Sequence, residues 1–354
     1  MCDFSEYGGI HDEWVAAEKA SPIVAVNLPV EEKKKVQNAA REKLAAQGLE
    51  AIRSKVILHD YTIPCRDGAQ IEGRTYRPSD VAEDKTLPVY MHFHGGGFMT
   101  GTLDSEDAIC AGIAIAAGII VLNVNYRHTP EHVYPTAWRD AEDAFEWLHD
   151  NIETVHGDAQ SVVIGGISAG AWLTASLLLM KELGLSSTKS RPPVAGQVLM
   201  IPCLVHLECF GPQRRKLANP EKSSYEENHD APILPLPTAK EFIDHLKVER
   251  PDPNDLQLNP GNASPEQVAG LPPTVFGVAG RDILRDEGLL YAKMLAEAGV
   301  PTDVNVYRGV PHGFRRLGAY MPTSASRWDT TMSDGIKWAL SKPKATGKLD
   351  IKAD

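Results

Sequence analysis

The sequence predicts an α/β protein built on an eight-stranded, mostly parallel sheet with helices on both faces. From about residue 54, apolar runs alternate with stretches of helical periodicity, which is the pattern of successive strand–helix–strand units. The 354 residues are 43% hydrophobic, enough for one large domain with a substantial core. The predicted strands are, in chain order, KVILHDYTI, IEGRTYRP, LPVYMHFH, IIVLNVNY, SVVIGGI, VAGQVLMIP, PTVFGVA and TDVNVYRG.

Two of the intervening helices are marked by both periodicity and end signals. PTAWRDAEDAFEWLHDN has Pro135 near its start and apolar residues such as Ala141, Phe145 and Leu148 at helical spacing. SAGAWLTASLLLMKELG ends at Gly184, as expected of a helix C-terminus. Both stretches are therefore predicted to be helices that cover the sheet.

Two segments depart from the alternation and are predicted to form a cap. Residues 1–53 include the charged, alanine-rich helix VEEKKKVQNAAREKLAAQG, and residues 204–265 form a proline-rich insertion between two strands. An insertion of that length inside a compact domain is usually functional. The catalytic domain is then residues 54–203 and 266–342, and residues 343–354 read as a polar, mobile tail.

Charge and cysteine content narrow the class of protein. A formal net charge of −11 argues against a nucleic-acid partner or an anionic membrane surface, both of which attract basic proteins. Five scattered cysteines do not form a disulfide framework and suit a reducing compartment. The N-terminus lacks the features of a signal peptide, and the longest apolar stretch, AGIAIAAGIIVL, is too short to span a bilayer. We therefore expect a cytoplasmic protein without nucleic-acid or membrane partners.

The pentapeptide GISAG, residues 166–170, predicts a serine nucleophile at Ser168. It joins a predicted strand to a predicted helix, which is the context that a nucleophile elbow requires. The serine occupies a strained turn that lifts its hydroxyl off the sheet, and the tight turn leaves room only for glycine at Gly166 and Gly170.

A serine nucleophile needs a histidine base and a carboxylate that orients this base, here expected downstream in the order acid, then histidine. Asp282 directly follows one predicted strand, and His312, the only histidine after it, follows the next. Both positions lie at the carboxyl ends of strands, where active sites of open α/β sheets are built. We predict that Ser168, Asp282 and His312 form a catalytic triad.

Three other acids compete with Asp282 for the role of orienting carboxylate. Asp286 and Glu287 lie where a helix begins, so we expect them to cap that helix or to pair with a neighbouring arginine. Asp303 precedes its strand and therefore belongs to the opposite edge of the sheet. Asp282 is the favoured acid.

The glycine triplet in HFHGGGFMTG, residues 92–101, follows a strand and predicts a loop of exposed backbone N–H groups. Attack on an ester carbonyl creates an oxyanion that such groups stabilise. One donor is expected to be the N–H of Ala169, which follows the nucleophile, and the others come from the loop after the third strand.

Five motifs together carry a family resemblance. HGGGF, YRHTPEHVYPTAWRDA, GISAG, GRDILRDEG and VPHGF, in this order over about residues 85–320, resemble the hormone-sensitive-lipase-like family of α/β-hydrolase carboxylesterases. The resemblance implies an α/β-hydrolase fold with a helical cap. It also implies an oxyanion hole of the Gly95, Gly96 and Ala169 N–H groups, with His94 and Gly97 shaping the loop.

The sequence departs from this family at two positions. Members often have an acid where Ile167 stands and a glycine where Ala171 stands. Neither position supplies a proton or an oxyanion donor, so we expect the chemistry to persist while packing and substrate choice change.

Other candidate sites are less specific. The segment CLVHLEC offers Cys203, His206, Glu208 and Cys209, but their spacing matches no zinc pattern, so no metal is predicted. His92 is expected to be a core histidine without a catalytic part. An acyl pocket could be lined by these aromatic residues: Trp14, Phe98, Tyr225, Phe242 and Phe314.

The predicted function is that of a cofactor-free serine carboxylesterase acting on small to medium acyl or acetyl esters. An amidase such as an arylformamidase, or a metabolite-specific lactone or acetyl hydrolase of secondary metabolism, would use the same triad. A ligand receptor on this scaffold, as in the plant gibberellin receptors, lacks the histidine, so His312 argues against it. Relatives that cyclise or eliminate change the nucleophile, which Ser168 argues against. A homodimer through the exposed last strand is also expected.

Overall fold

A computed structural model describes residues 1–22 and 28–354 of this chain. Within these residues the sheet has nine strands: β1 (Val56–Pro64), β2 (Gln70–Pro78), β3 (Leu87–Phe93), β4 (Ile120–Asn125), β5 (Gly157–Ile167), β6 (Gly196–Met200), β7 (Thr274–Arg281), β8 (Thr302–Pro311) and β9 (Ile351–Ala353). Their order is β1-β2-β4-β3-β5-β6-β7-β8-β9. The pairs β1–β2 and β2–β4 are antiparallel and all others are parallel. The predicted sheet of parallel strands is thus confirmed, with eight strands where expected.

The ninth strand corrects the predicted strand number and the predicted mobile tail. β9 lies within residues 343–354 and pairs in parallel with Val304–Val306 of β8. It is held by backbone hydrogen bonds to the sheet edge and has no apolar run of its own, so the sequence pattern does not mark it. Because β9 covers part of the β8 edge, the last strand is not the open edge on which the predicted homodimer relied. The dimer itself stays a prediction.

Helices cover both faces of the sheet, as predicted. They are α1 (Asp12–Ala20), α2 (Val30–Glu50), α3 (Leu103–Ala117), α4 (Thr136–Asp150), α5 (Ala169–Glu182), α6 (Gly211–Arg214), α7 (Ser224–Glu227), α8 (Leu236–His245), α9 (Pro265–Val268), α10 (Arg285–Glu297) and α11 (Pro322–Leu340). Helices α4, α5 and α10 contribute to the core on one face, and α3 and α11 to the core on the other.

The two cores follow from the two-residue period of the strands. In β3, Val89 and Met91 join the α4–α5–α10 core while Tyr90 between them joins the α3–α11 core. Successive side chains of a strand point to opposite faces, so a strand covered on both sides is apolar throughout. This explains why LPVYMHF is apolar except for His92, and the resulting rigid sheet fixes the positions of the loops at its carboxyl edge.

The N-terminal segment and the insertion both approach this carboxyl edge. Helix α2 packs on α3, and Lys33 of α2 forms an ion pair of 2.5 Å with Glu241 of α8 in the insertion. Residues 23–27 of the predicted 1–53 cap segment lie outside the described residues. None of the helices described is both long and apolar enough to cross a membrane.

Helix α1 is tied to the start of α11 by one carboxylate. Glu13 accepts hydrogen bonds from the backbone N–H groups of Thr323 and Ser324, both at 2.9 Å, and from the Ser324 hydroxyl at 2.7 Å. These N–H groups belong to the first turn of α11, where no intrahelical acceptor exists. Although partial burial acts in the opposite direction, the hydrogen bonds from Ser324 and Thr323 lower the pKa of Glu13 to about 2.

We predict that Glu13→Gln lowers the free energy of unfolding at pH 7 by about 1–2 kcal/mol, the usual effect of losing a charged helix cap. The pKa of Glu13 is lower in the folded than in the unfolded protein. Its contribution is therefore present above about pH 4.5 and is lost as the pH falls towards 2. Urea unfolding across this range measures the effect. Glu18→Gln, at an exposed position of the same helix, is the control, and equal stability of Glu13→Gln and wild type at pH 7 would contradict the assignment.

Candidate active site

The turn at Ser168 is a strained junction between β5 and α5. Ser168 has φ 56° and ψ −114°, a conformation that non-glycine residues adopt only when their surroundings enforce it. A Cβ atom at Gly166 would overlap the backbone of Gly170, and one at Gly170 would overlap the carbonyl oxygen of Phe93. Only glycine fits at either position, which is the physical basis of the GISAG pattern.

Three side chains from three strand ends form one hydrogen-bonded series. The Nε2 atom of His312 lies 2.9 Å from the Ser168 Oγ, and its Nδ1 atom lies 2.7 Å from the Asp282 Oδ2. Asp282 follows β7 and His312 follows β8, which neighbours β7 in the sheet. With Nδ1–H donating to the carboxylate, Nε2 is free to accept the serine proton. The structure thus brings together the three residues that the sequence singled out.

Asp282 is held by the backbone and by the insertion. Its Oδ1 atom accepts a hydrogen bond of 3.0 Å from the Leu284 N–H, and its carbonyl oxygen accepts one of 3.0 Å from the Asn228 side chain. The side chain of Asp282 is only 2% exposed. Asn228 was missed by sequence reasoning, because nothing near it in the chain indicates a contact with a loop 54 residues away.

The glycine loop after β3 presents unengaged N–H groups beside Ser168. Gly96 has φ +136° and Gly97 has φ +62°, and a Cβ atom at Gly96 would overlap the carbonyl oxygen of Thr100. In the part of the chain that the structure describes, the N–H groups of Gly95 and Gly96 donate no hydrogen bond. Ala169 is the first residue of α5, so its N–H has no intrahelical acceptor. The three predicted donors therefore line one cavity with the serine.

A buried network fixes the other side of this loop. The carbonyl oxygen of Gly95 accepts hydrogen bonds of 3.1 Å from both Arg41 and His94, and Arg41 also forms an ion pair of 2.6 Å with Glu106. Burial lowers the pKa of His94 to about 4, so its ring is neutral near pH 7. Although burial acts in the opposite direction, the hydrogen bond from His92 and the charge of Arg41 hold the pKa of Glu106 well below its usual range. Arg41 and Glu106 carried no signal in the sequence.

The site opens into a cavity of about 430 Å³ between the sheet edge, α2 and the insertion. Phe98 and Phe242 line it, as predicted. Phe98 is buried and stacks on Trp138 with ring centroids 4.7 Å apart. A Cβ atom at Gly97 would overlap the ring of Phe242, so the insertion rests directly on the glycine loop. The wall contributed by the insertion is largely apolar and comprises Leu207, Ile233, Leu234, Thr238, Ala239, Phe242 and Ile243.

The other three predicted pocket residues do not line this cavity. Trp14 has no exposed surface and belongs to the α3–α11 core. Phe314 packs edge-on against Trp328 in the same core. Tyr225 is buried and its hydroxyl donates a hydrogen bond of 2.7 Å to Glu287. In each case the aromatic ring fills space within the protein, so the prediction of a pocket residue was wrong.

The acids that follow Asp282 connect α10 to its neighbours. Asp286 forms an ion pair of 2.9 Å with Arg285, as expected. Within residues 1–22 and 28–354, Glu287 pairs with no arginine; it accepts hydrogen bonds from the Leu204 N–H at 2.6 Å and from the Tyr225 hydroxyl at 2.7 Å. Glu287 therefore ties the insertion to the catalytic domain.

The segment CLVHLEC is not assembled as a metal site. Among the residues described, one group of histidine, cysteine and acidic side chains lies close enough to share an ion, and it comprises Cys65, Asp140 and Asp143. Its carboxylates are engaged by guanidinium groups, Asp140 by Arg127 and Asp143 by Arg66. We therefore propose no metal site at CLVHLEC or at the cluster of Cys65, Asp140 and Asp143.

A hydrogen-bonded serine, histidine and aspartate at the carboxyl edge of a parallel sheet is the arrangement of the serine hydrolases. Residues 90–316 match the family model described as alpha/beta hydrolase fold. The esterase LipI of Mycobacterium tuberculosis is 31% identical over 81% of this chain and 83% of its own length. The ethyl acetate hydrolase of Pseudomonas putida is 30% identical over 74% of this chain and 77% of its own. The crystal structure of vibralactone cyclase is 28% identical with a TM-score of 0.85, covering 97% of each chain.

The chain therefore belongs to the alpha/beta hydrolase fold family and, within it, to the hormone-sensitive-lipase-like carboxylesterases. The predicted family is thus confirmed.

We predict that Glu287→Gln changes the dependence of stability on pH. Burial raises the pKa of Glu287 to about 8, above its value of about 4.5 in the unfolded chain. The stability that this group contributes is therefore full below about pH 4.5 and is lost as the pH rises towards 8. A neutral glutamine should remove this loss. The free energy of unfolding of the variant, compared with that of wild type, should therefore rise by on the order of 2–4 kcal/mol from pH 5 to pH 8.5.

Urea unfolding at these two pH values measures the relative gain. The exposed Glu18 again provides the control, because Glu18→Gln should unfold in parallel with wild type. Parallel profiles for Glu287→Gln and wild type would show that Glu287 is already ionised in the folded protein.

Proposed function

We propose that this protein is a serine carboxylesterase that hydrolyses small to medium acyl esters, acetyl esters among them, with Ser168 as the nucleophile. Its family makes it a carboxylic ester hydrolase. The observation that carries the assignment of the nucleophile is the unbroken hydrogen-bond series from Ser168 through His312 to Asp282. This series meets a cavity that can hold a small ester.

The acylation step uses His312 as the base that accepts the proton of Ser168. His312 removes the Ser168 proton through Nε2 while the oxygen attacks the ester carbonyl, and Asp282 stabilises the imidazolium that forms. The negative charge that develops on the carbonyl oxygen is met by the N–H groups of Gly95, Gly96 and Ala169, each typically worth about 2.7–4 kcal/mol. His312 then returns the proton to the leaving alcohol.

Deacylation reverses the roles with water in place of the alcohol. His312 deprotonates a water molecule, which attacks the acyl carbonyl on Ser168, and the same N–H groups stabilise the second oxyanion. The carboxylic acid leaves as His312 returns its proton to Ser168. Water is the second reactant, and His312 and the three N–H groups supply the proton transfer and the charge stabilisation in both halves of the reaction.

The range of substrates is proposed from the size and lining of the cavity. A space of about 430 Å³ lies at the lower end of ligand pockets and accommodates a small to medium ester. The ethyl acetate hydrolase among the relatives is named for an acetyl ester. We also propose a cytoplasmic location without nucleic-acid or membrane partners, supported by the net charge of −11 and by the unpaired cysteines.

Replacing the nucleophile tests this proposal. We predict that Ser168→Ala lowers kcat/KM for 4-nitrophenyl acetate and butyrate by a factor of about 10⁴–10⁶, because the covalent step is lost. Ser187→Ala, an exposed serine, should retain wild-type activity, and thermal unfolding should confirm that both variants fold. If Ser168→Ala retained most of the ester hydrolysis, the proposed mechanism would be wrong. Faster turnover of an N-formyl aryl amide than of the matched ester would favour an amidase instead.

A substitution in the glycine loop tests the proposed oxyanion donors separately. We predict that Gly96→Ala lowers kcat about 10²–10³-fold, since its φ of +136° and the carbonyl oxygen of Thr100 leave no room for a Cβ atom and the donor must move.

Gly112→Ala is the matched control for this change. Gly112 lies within α3, and a Cβ atom there would meet nothing within 4 Å. This variant should keep full activity. If Gly96→Ala folds and turns over at the wild-type rate, the oxyanion donors lie elsewhere.

A further inference from the structure

Part of the cavity lining is charged, in contrast to the apolar wall of the insertion. Arg41 of α2, Glu106 of α3, and Arg315 and Arg316 from the segment after His312 all line it together with Ser168. The lining thus contains three cationic side chains and one anionic side chain in a protein whose net charge is −11. Such a local excess of positive charge inside a catalytic cavity indicates a ligand of opposite charge.

Two of the three arginines are neutralised by protein carboxylates. Arg41 forms an ion pair of 2.6 Å with the buried Glu106 and also holds the Gly95 carbonyl. Arg315 forms an ion pair of 2.6 Å with Asp329, with a second hydrogen bond of 2.7 Å. Both guanidinium groups therefore already have a carboxylate partner.

Arg316 has no such partner. Across residues 1–22 and 28–354, no carboxylate lies within 4 Å of its guanidinium group, and this group donates no hydrogen bond. The remaining residues, 23–27, have the sequence IVAVN and contain no acid. Arg316 lies in the short 3-10 helix Phe314–Leu317, which directly follows the His312 loop. Its side chain is exposed, and the space that it borders is the cavity.

The position of Arg316 is unfavourable for the free protein. Repulsion from the nearby charge of Arg41 lowers the pKa of Arg316 to about 9, which still leaves it protonated near pH 7. A cation that lies close to another cation and has no carboxylate partner of its own is destabilised by this repulsion. Groups of this kind are commonly retained for function at the expense of stability.

We propose that Arg316 binds a carboxylate group of the substrate, so that the preferred substrates are esters that carry a free carboxylate elsewhere in the molecule. This inference rests on the proposed ester hydrolysis at Ser168. A planar carboxylate matches the fork of one guanidinium group in a two-point contact. A phosphate dianion would call for a second free cation, and Arg41 and Arg315 are already paired.

Matched pairs of esters test the proposal on either side of the scissile bond. Monoethyl glutarate carries the carboxylate in its acyl part, and ethyl 5-methylhexanoate is its neutral counterpart. 4-Acetoxybutanoate carries the carboxylate in its alcohol part, and 4-methylpentyl acetate is its neutral counterpart. For at least one pair, wild type should prefer the anionic ester in kcat/KM, and Arg316→Met should lower that preference about 10–100-fold while turnover of the neutral ester stays within a few-fold.

Two controls separate this role from a structural one. Arg139→Met removes the same charge from an exposed position of α4 outside the cavity, and it should leave the preference unchanged. Arg316→Met should unfold at the same temperature as wild type or at a higher one, because it removes an unpaired cation. If Arg316→Met changes anionic and neutral esters equally, or if wild type prefers the neutral ester in both pairs, the proposal is wrong.

Binding of glutarate distinguishes failure of this inference from failure of the proposed function. Calorimetry in the Ser168→Ala background should detect glutarate, and adding Arg316→Met should weaken its binding at least tenfold. If no ester is hydrolysed but this binding persists, the carboxylate site stands and the esterase proposal fails. If esters are hydrolysed but glutarate binds equally with and without Arg316, the esterase stands and the carboxylate site fails.

Discussion

The close approach of three backbone segments around Ser168 is the constraint on which the rest of the site depends. Gly166 and Gly170 leave no space for a side chain, so β5, the start of α5 and the end of β3 meet at backbone contact. This contact holds Ser168 in its strained conformation and sets the glycine loop after β3 beside it. This one backbone contact thus positions the proposed nucleophile and the expected oxyanion donors, and the loops after β7 and β8 add the proposed acid and base.

The second layer of the site is electrostatic and comes largely from residues distant in sequence. Arg41 connects the N-terminal segment to Glu106 and to the carbonyl side of the glycine loop, so that the N–H side faces the cavity. A neutral His94 holds the same carbonyl without adding charge next to the reaction. The loop is therefore fixed by contacts on its outer surface, and its donors need not reorganise when charge develops on the substrate.

The strands, the turn at Ser168 and the order of Asp282 and His312 could be predicted from the sequence because each is a local pattern with a steric cause. The residues that line the pocket could not be predicted in this way. Trp14, Tyr225 and Phe314 lie in plausible segments, but which way an aromatic ring faces is decided by tertiary packing, and all three pack inward. Strand β9 could not be predicted, because a strand of three residues that pairs with the edge of a sheet needs no apolar pattern. The role of Arg316 could not be predicted either, because the sequence does not show whether an arginine has an ion-pair partner in the folded protein.

The hydrogen bonds of Asn228, Tyr225 and Leu204 have a consequence for how ligands enter and leave. They join the insertion to the loop of Asp282 and to Glu287, so swinging the whole insertion outwards would break several buried hydrogen bonds and disturb the acid of the triad. On the opposite side, Lys33 of α2 pairs with Glu241 and lies over the ring of Phe242 in the insertion. The ion pair is partly exposed and therefore weak. Because Phe242 of α8 also rests on Gly97, moving α8 away from α2 would remove a contact that supports the glycine loop and its expected oxyanion donors.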